Sequence, residues 1–436
     1  MPDMSAGRAP AGPVAPPRSA RSGVALSGPS SPRRREGEPS PSVCVLEGHA
    51  FASWAAGHRA GEHAGALPFG VDALERAGYS VAHADAVWRG GRARAWARER
   101  SRPLGYQLRA DGAVAQVLTS LGPLRRSAAC VSLFEDQGLA YCGLRRIAGA
   151  HLPPLVMVSC WLGQRLVDGD ERRRRAYRVL AREASLVTVF SRNQLRLLAE
   201  ALELPVERLV AIDFGVDTDF YRPGPAAAEP YVAVVGKDAG RDWPTLLAAA
   251  SLTPAVRYVL ATDPARLASL AVPSNVTVLG MLGHREYRAL VGGSMFSVVP
   301  TRELAYPTGQ SVLLESLACG RPVVAARTGA MQDYLVAEAT AGYDVGDADG
   351  LAVAIGALAG DEERRRAMSA AARRAALDRF DSRIMWRRIG ALIDQVLDDP
   401  VLDDPVLDDP VLDDRAPPTG RTARARGERR AGAARG

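Results

Sequence analysis

The stretch from Val298 to Leu335, VVPTRELAYPTGQSVLLESLACGRPVVAARTGAMQDYL, decides how this chain is read. The apolar run that opens it, Phe296 to Pro300, has the length of a buried strand and empties into a polar loop containing Gly and Pro. A helix is expected next. Ser311 is expected to cap it, because Val312, Leu313, Ser316, Leu317 and Ala318 then turn apolar or small side chains toward a sheet until Gly320 ends the run. Pro322 to Ala326 reads as the following strand. In such a strand-loop-helix-strand unit, Gly309, Gln310 and Ser311 stand where helix-start N–H groups leave the sheet edge, a place suited to an anion such as a diphosphate. Glu315 lies about one turn further in. A lone acid among apolar neighbours is costly unless bonded, and two partners are open: the hydroxyls of a ribose, or a nearby arginine.

The same alternation extends through the C-terminal half. Tyr231 to Val235 is a predicted strand running into Gly236-Lys237-Asp238-Ala239-Gly240-Arg241-Asp242, with a helix from Trp243 to Ala250. The glycines allow close backbone approach, and Lys237 and Arg241 place two cations beside a helix start, a sensible clamp for a diphosphate. The spacing is neither G-x-G-x-x-G nor a P-loop, which argues against a dinucleotide dehydrogenase or an NTPase. Lys237 is also the only lysine in the chain, the other basic residues being arginines. Strands at Val256–Ala261 and Val276–Leu279, with helices near Pro264–Leu270 and His284–Val291, continue a doubly wound sheet. Helices are expected over Leu351–Leu358, Asp361–Arg379 and Ser382–Leu397.

The N-terminal half reads more loosely. A strand from Ser42 to Leu46 is followed by an expected long loop, Gly48 to Gly65, carrying His58, Glu62 and His63. Leaving the C-terminal end of a strand, this loop lies where open α/β sheets place ligands, so its histidines can meet an acceptor or simply be solvated. A helix near Phe69–Ala77 and a strand near Tyr79–His83 complete a first β-α-β unit. The arginine-dense stretch Trp88 to Arg109 reads as a solvated helix. Ala129 to Phe134 is a strand running into Glu135 and Asp136, acids that either cap the next element or face an acceptor, with capping favoured. Further strands are expected at Pro154–Ser159, Ser185–Phe190 and Val210–Phe214, with helices over Arg172–Ala184 and Asn193–Leu202, the latter capped by Ser191.

Composition sets the bounds. A chain of 436 residues, 47% hydrophobic, is long enough for two domains with cores of their own. Its net charge of +6 owes much to the ends, since residues 396–414 carry 8 acids and residues 415–436 carry 7 arginines against 1 acid. Such a distribution gives little reason to expect nucleic-acid binding. The 5 cysteines show neither CxxC nor zinc-like spacing and read as buried thiols in a reducing compartment. No run is apolar enough for a membrane span or signal peptide, so a cytoplasmic location is expected, with peripheral contact at the inner membrane face left open.

Gly309-Gln310-Ser311-Val-Leu-Leu-Glu315-Ser-Leu-Ala-Cys-Gly320-Arg-Pro322 resembles the donor-nucleotide signature of the retaining GT-B glycosyltransferases of family 4. The likeness continues in Ala211-Ile-Asp-Phe-Gly215-Val-Asp217-Thr-Asp-Phe-Tyr-Arg-Pro223, which is similar to the family's interdomain linker, and in Ala341 to Ile355, which is similar to the segment closing its C-terminal domain. The resemblance implies an α/β GT-B fold, two doubly wound Rossmann-like domains facing across a cleft. It implies a donor site built from Gly236, Lys237, Arg241, Gly309, Gln310, Ser311 and Glu315, with Lys237 and Arg241 stabilising the leaving group. It places Gly65 near an acceptor-side glycine-rich loop; His58, Glu62, His63 and Glu135 are acceptor-side candidates by their position at strand ends alone. One position departs from the pattern: Pro307 stands where the family carries a glutamate for the donor sugar, and Glu303 is a candidate substitute. A histidine that many members carry near Cys160-Trp161 is absent.

The expected organisation is a disordered tail over residues 1–41 and an N-terminal acceptor domain with linker over 42–222. A donor domain follows over 223–381, then a crossover helix over 382–398. A disordered repeat and basic tail, 399–436, is expected last, since proline at every fifth residue of the Val-Leu-Asp-Asp-Pro repeat forbids a continuous helix. The expected function is transfer of a sugar from a nucleotide diphosphate sugar to a small-molecule, glycan or lipid acceptor, with retention and without a metal or other cofactor. The alternatives are a GT-B sugar phosphorylase or nucleotide-sugar epimerase, and a non-catalytic sugar-nucleotide-binding protein.

Overall fold

The computed structural model describes residues 40–48, 51–84, 111–148 and 152–403. The expectations for residues 1–39, for the arginine-rich stretch and for residues 404–436 lie outside the described residues. Two six-stranded sheets organise the rest. The first holds β1 (Ser42–Leu46), β2 (Ser80–Ala84), β3 (Ala129–Leu133), β4 (Leu155–Ser159), β5 (Leu186–Val189) and β6 (Leu209–Ala211) in the order β2-β1-β3-β4-β5-β6. The second holds β7 (Val232–Val235), β8 (Tyr258–Ala261), β9 (Val276–Leu279), β10 (Phe296–Val299), β11 (Val323–Ala326) and β12 (Thr340–Tyr343) in the order β12-β11-β10-β7-β8-β9. Every neighbouring pair is parallel. Parallel strands covered by helices on both faces need continuous apolar runs, and β3, β4, β5, β10 and β11 are buried at every residue. In each sheet the winding direction reverses once, between β1 and β3 and between β7 and β10, and the loops leaving these strands diverge to open a crevice.

The helices of the first half are α1 (Phe51–Arg59), α2 (Asp72–Arg76), α3 (Asp111–Thr119), α4 (Leu121–Arg126), α5 (Glu135–Ala148), α6 (Leu162–Asp168), α7 (Glu171–Ala181) and α8 (Asn193–Leu202). Those of the second half are α9 (Trp243–Leu252), α10 (His284–Gly293), α11 (Gln310–Ala318), α12 (Ala348–Gly360), α13 (Glu362–Asp378) and α14 (Ser382–Asp398). The halves are tied together. After α13 packs on α11, the chain turns at Asp381 and α14 returns to the first half, where it meets α2. There the Trp386 indole donates to the Phe69 carbonyl at 2.7 Å, and the Tyr79 hydroxyl reaches Gly390 O and Asp394 Oδ1, both at 2.8 Å. Asp213 of the linker holds Arg379 and Arg388 at 3.0 and 3.1 Å.

Several expectations are corrected by local chemistry. The stretch from Gly48 to Gly65 is not all loop: α1 forms there, favoured by Ala55 and Ala56. Phe134 ends β3 with a left-handed φ of 71°, and Glu135 and Asp136 open α5. Ser191 does not cap α8, since its hydroxyl instead accepts from the Gln194 side chain at 2.9 Å. Ser311 lies inside α11, whose N-cap is Gly309. α6 and β12 were not expected at all. The first residues of the acidic repeat are ordered as well: Asp399 accepts the Val401 N–H at 3.0 Å to cap a short turn, and Leu402 is buried. Asp403 then pairs with buried Arg145 at 2.5 Å.

Candidate active site

The loop after β7 and the loop after β10 meet face to face at the reversal of the second sheet. Asp242 N–H donates to Pro300 O at 3.0 Å, Arg302 N–H donates to Gly240 O at 2.9 Å, and Arg241 and Thr301 form an antiparallel bridge. Arg241 is thereby drawn inward. Its Nε donates to Val235 O at 3.1 Å, and its Nη1 reaches the Thr308 hydroxyl at 3.3 Å and Asp238 at 3.2 Å. The side chain folds back over Gly236, where a Cβ would lie 2.1 Å from Arg241 Nε, so only glycine fits. Asp242 caps α9 by accepting from Thr245 N–H at 3.3 Å.

Lys237, in contrast, is exposed and makes no ion pair among the described residues. It stands at the rim of a cavity of about 230 Å³ whose walls include Gly236, Asp238, Arg241, Leu282, His284, Ser311 and Glu315. Across from it lies the start of α11, whose first-turn N–H groups have no intrahelical acceptor. Gly309, held at φ 84°, turns the chain into that helix. Gln310 is buried, and its Oε1 has no hydrogen-bond partner among the described residues.

Glu315 forms the inner wall. The arginine partner is not found among the described residues; instead the Tyr287 hydroxyl and the Tyr221 hydroxyl bond its carboxyl group. Burial pushes the Glu315 carboxyl up to about 7, against the pull of these tyrosines and of the Arg241 and Lys237 charges. Burial beside this carboxyl also pushes both phenols well above their usual range. Tyr221 and Tyr287 escaped the sequence reading. Tyr221 lies within the linker stretch already singled out, and that was its available signal; Tyr287 carried none.

The acceptor-side candidates separate. His63 stacks on Trp54 with ring centroids 4.6 Å apart and meets His284 edge-on at 5.1 Å, which brings the first half to the cavity rim. His58 Nδ1 is 3.0 Å from His63 O, and the Trp54 indole donates to Gly65 O at 3.3 Å, so these residues shape the loop. Glu62 points to solvent. Glu135 is fully buried and out of reach of a ligand: it accepts from Cys160 N–H at 3.2 Å and Trp161 N–H at 3.3 Å and pairs with Arg165 Nε at 3.2 Å. Burial raises its carboxyl above the usual range. Glu303 lies outside the cavity lining and accepts from Gly329 N–H at 3.0 and 3.1 Å, so it braces a loop.

Comparison with known proteins agrees with this geometry. Residues 238–361 match the family model for glycosyl transferases group 1. The D-inositol 3-phosphate glycosyltransferases of Mycobacterium bovis and Mycobacterium tuberculosis are 31% identical over 195 residues, covering 38% of this chain and 40% of those proteins. Among solved structures, sucrose-phosphate synthase from Thermosynechococcus elongatus superposes with a TM-score of 0.63 at 18% identity, over 82% of this chain and 99% of that one. Anabaena HepE, solved in complex with UDP-glucose, gives 0.60 at 16% identity, over 81% and 100%. These structures share the fold, two Rossmann-like domains in the GT-B arrangement. The family match is confined to residues 238–361, the chain spans about two fifths of the length of the curated relatives it matches, and the structural likeness is one of fold.

Proposed function

We propose that this chain is a metal-independent, retaining glycosyltransferase that takes a sugar from a nucleotide diphosphate sugar and gives it to an acceptor held against the first sheet. The observation that carries this reading is the convergence of Lys237, the start of α11 and Glu315 on one cavity at the reversal of the second sheet. A diphosphate seated between the Lys237 ammonium and the α11 amides meets positive charge from both sides, and this charge grows in value as the leaving group departs. Glu315, with its tyrosines, is suited to the hydroxyls of a ribose. In a front-face displacement the leaving diphosphate itself takes the acceptor proton, so the protein's work is positioning and charge stabilisation. UDP-glucose is the first donor to test, since HepE was solved with it.

The test is a thermal-shift screen against nucleotide diphosphate sugars, followed by transfer assays with the best donor. Donor-dependent stabilisation and transfer undiminished by EDTA are expected. Activity abolished by EDTA and restored by manganese sinks the metal-independent mechanism, and an inverted product sinks retention.

A further inference from the structure

The wall of the crevice contributed by the first sheet is aromatic. Trp161, at the C-terminal end of β4, is 39% exposed and stacks on Phe134, with centroids 5.1 Å apart and planes at 30°. Phe134 in turn meets Phe69 edge-on at 5.3 Å. Both phenylalanines sit on left-handed backbone, with φ of 55° at Phe69 and 71° at Phe134, a conformation bulky residues seldom adopt. Trp161 also meets Tyr306 edge-on at 6.5 Å, and Tyr306 belongs to the loop between β10 and α11. Tyr306 is bonded to Thr308, the partner of Arg241 and Asp238, so the indole is linked through this loop to two residues of the donor cavity's wall. The N-terminal half also grips this loop directly: Ala305 N–H donates to Gln164 Oε1 at 2.9 Å, and Asn193 Nδ2 donates to Ala305 O at 3.0 Å.

We infer that Trp161 and Tyr306 form a ledge on which the flat C–H face of a sugar ring stacks, and that Glu135 is its positioning residue. A pyranose has an apolar face and a hydroxylated edge, and a half-exposed indole beside polar loop groups suits both. Glu135 takes the backbone N–H of Trp161 from below and is itself clamped by Arg165, so a buried carboxylate fixes where the indole stands. The ledge rests on the glycosyltransferase reading, and its ring comes either from the donor or from the acceptor.

Calorimetric titration of the full chain with UDP, with UDP-glucose, and with methyl α-glucoside at saturating UDP separates the cases. Trp161→Ala is expected to bind UDP like the wild type while losing about ten-fold or more in affinity for one ring-bearing probe, and Trp161→Phe is expected to keep most of it. A loss confined to UDP-glucose seats the donor sugar on the ledge; a loss confined to the glucoside seats the acceptor. Glu135→Gln should reproduce the same selective loss, and Trp161→Ala, made at a half-exposed position, covers the case in which that variant does not fold. Ring affinities of Trp161→Ala within about two-fold of wild type overturn the ledge while leaving the donor site standing. A wild-type protein that binds neither UDP nor UDP-glucose overturns the reading beneath it, and the ledge with it.

Discussion

Gly309 and Arg241 touch so closely that a Cβ at position 309 would lie 2.9 Å from the Arg241 Nη1 and 2.6 Å from Val299 Cγ1. The turn into α11 and the seat of the buried arginine are therefore one structure. Gly309→Ala adds these contacts to the strain of a side chain at φ 84°, about 1–2 kcal/mol for the backbone alone. A lowered melting temperature together with weakened donor binding is expected in thermal-shift titration; an unchanged donor affinity would show that the two loops move independently.

Lys237 and Arg241 should behave differently on removal. Lys237 is exposed and unpaired among the described residues, so Lys237→Ala is expected to leave the melting temperature unchanged and to lower turnover on the order of 100-fold, as loss of leaving-group stabilisation does. Arg241 is buried and joins Val235, Asp238 and Thr308, so Arg241→Ala should lose stability as well as activity. Melting curves beside steady-state kinetics distinguish the two, and equal stability losses would contradict the assignment.

Glu315 gives the site a pH dependence whose sign can be worked out. Its carboxyl, ordinarily near 4.5, is pushed up to about 7, so the folded protein holds a proton that the unfolded chain releases. The resulting stability is fully present below about pH 4.5 and is lost as pH rises through about 7, on the order of 3 kcal/mol. Ribose hydroxyls donate more strongly to the ionised form, so affinity for UDP-glucose should rise between about pH 6 and 8, and Glu315→Gln should flatten both trends. Calorimetry and melting curves across that range provide the check. Glu315→Ala is expected to weaken donor binding by roughly 1.5–3 kcal/mol.

The acidic repeat can be cut at one place but not at another. Ending the chain after Asp403 keeps Leu402 buried and the Arg145 pair intact, whereas ending it after Asp398 leaves the buried Arg145 without that carboxylate. The shorter chain should be less stable by about 2–3 kcal/mol, measured by urea denaturation. Equal stabilities would show that the Asp403 contact contributes nothing.

Much of this was legible because burial on both faces of a parallel sheet writes itself as uninterrupted apolar runs, and β3, β4, β10 and β11 appear within a residue or two of where those runs end. The donor side was legible for a related reason: Gly236, Lys237 and Arg241 sit on the loop leaving β7, and Ser311 and Glu315 on the helix that the loop leaving β10 leads into. What stayed hidden depends on contacts between distant segments. Tyr287 meets Glu315 only because α10 packs on α11, and Glu135, read as a cap for the next element or an acceptor-facing acid, is instead enclosed by Cys160, Trp161 and Arg165. Helix starts were misjudged where glycine rather than serine sets the turn, as at Gly309.

The return of α14 onto the first half has a consequence for biosynthesis. Trp386 bonds Phe69 across a separation of 317 residues, and Asp394 bonds Tyr79 across 315. At 5–20 residues per second the ribosome needs roughly 15–60 s to make that intervening chain, during which the apolar surface around Phe69 and Tyr79 has no helix to cover it. The nascent first half therefore emerges as a natural client for chaperones, and truncation anywhere upstream of Trp386 should release a polypeptide prone to aggregation.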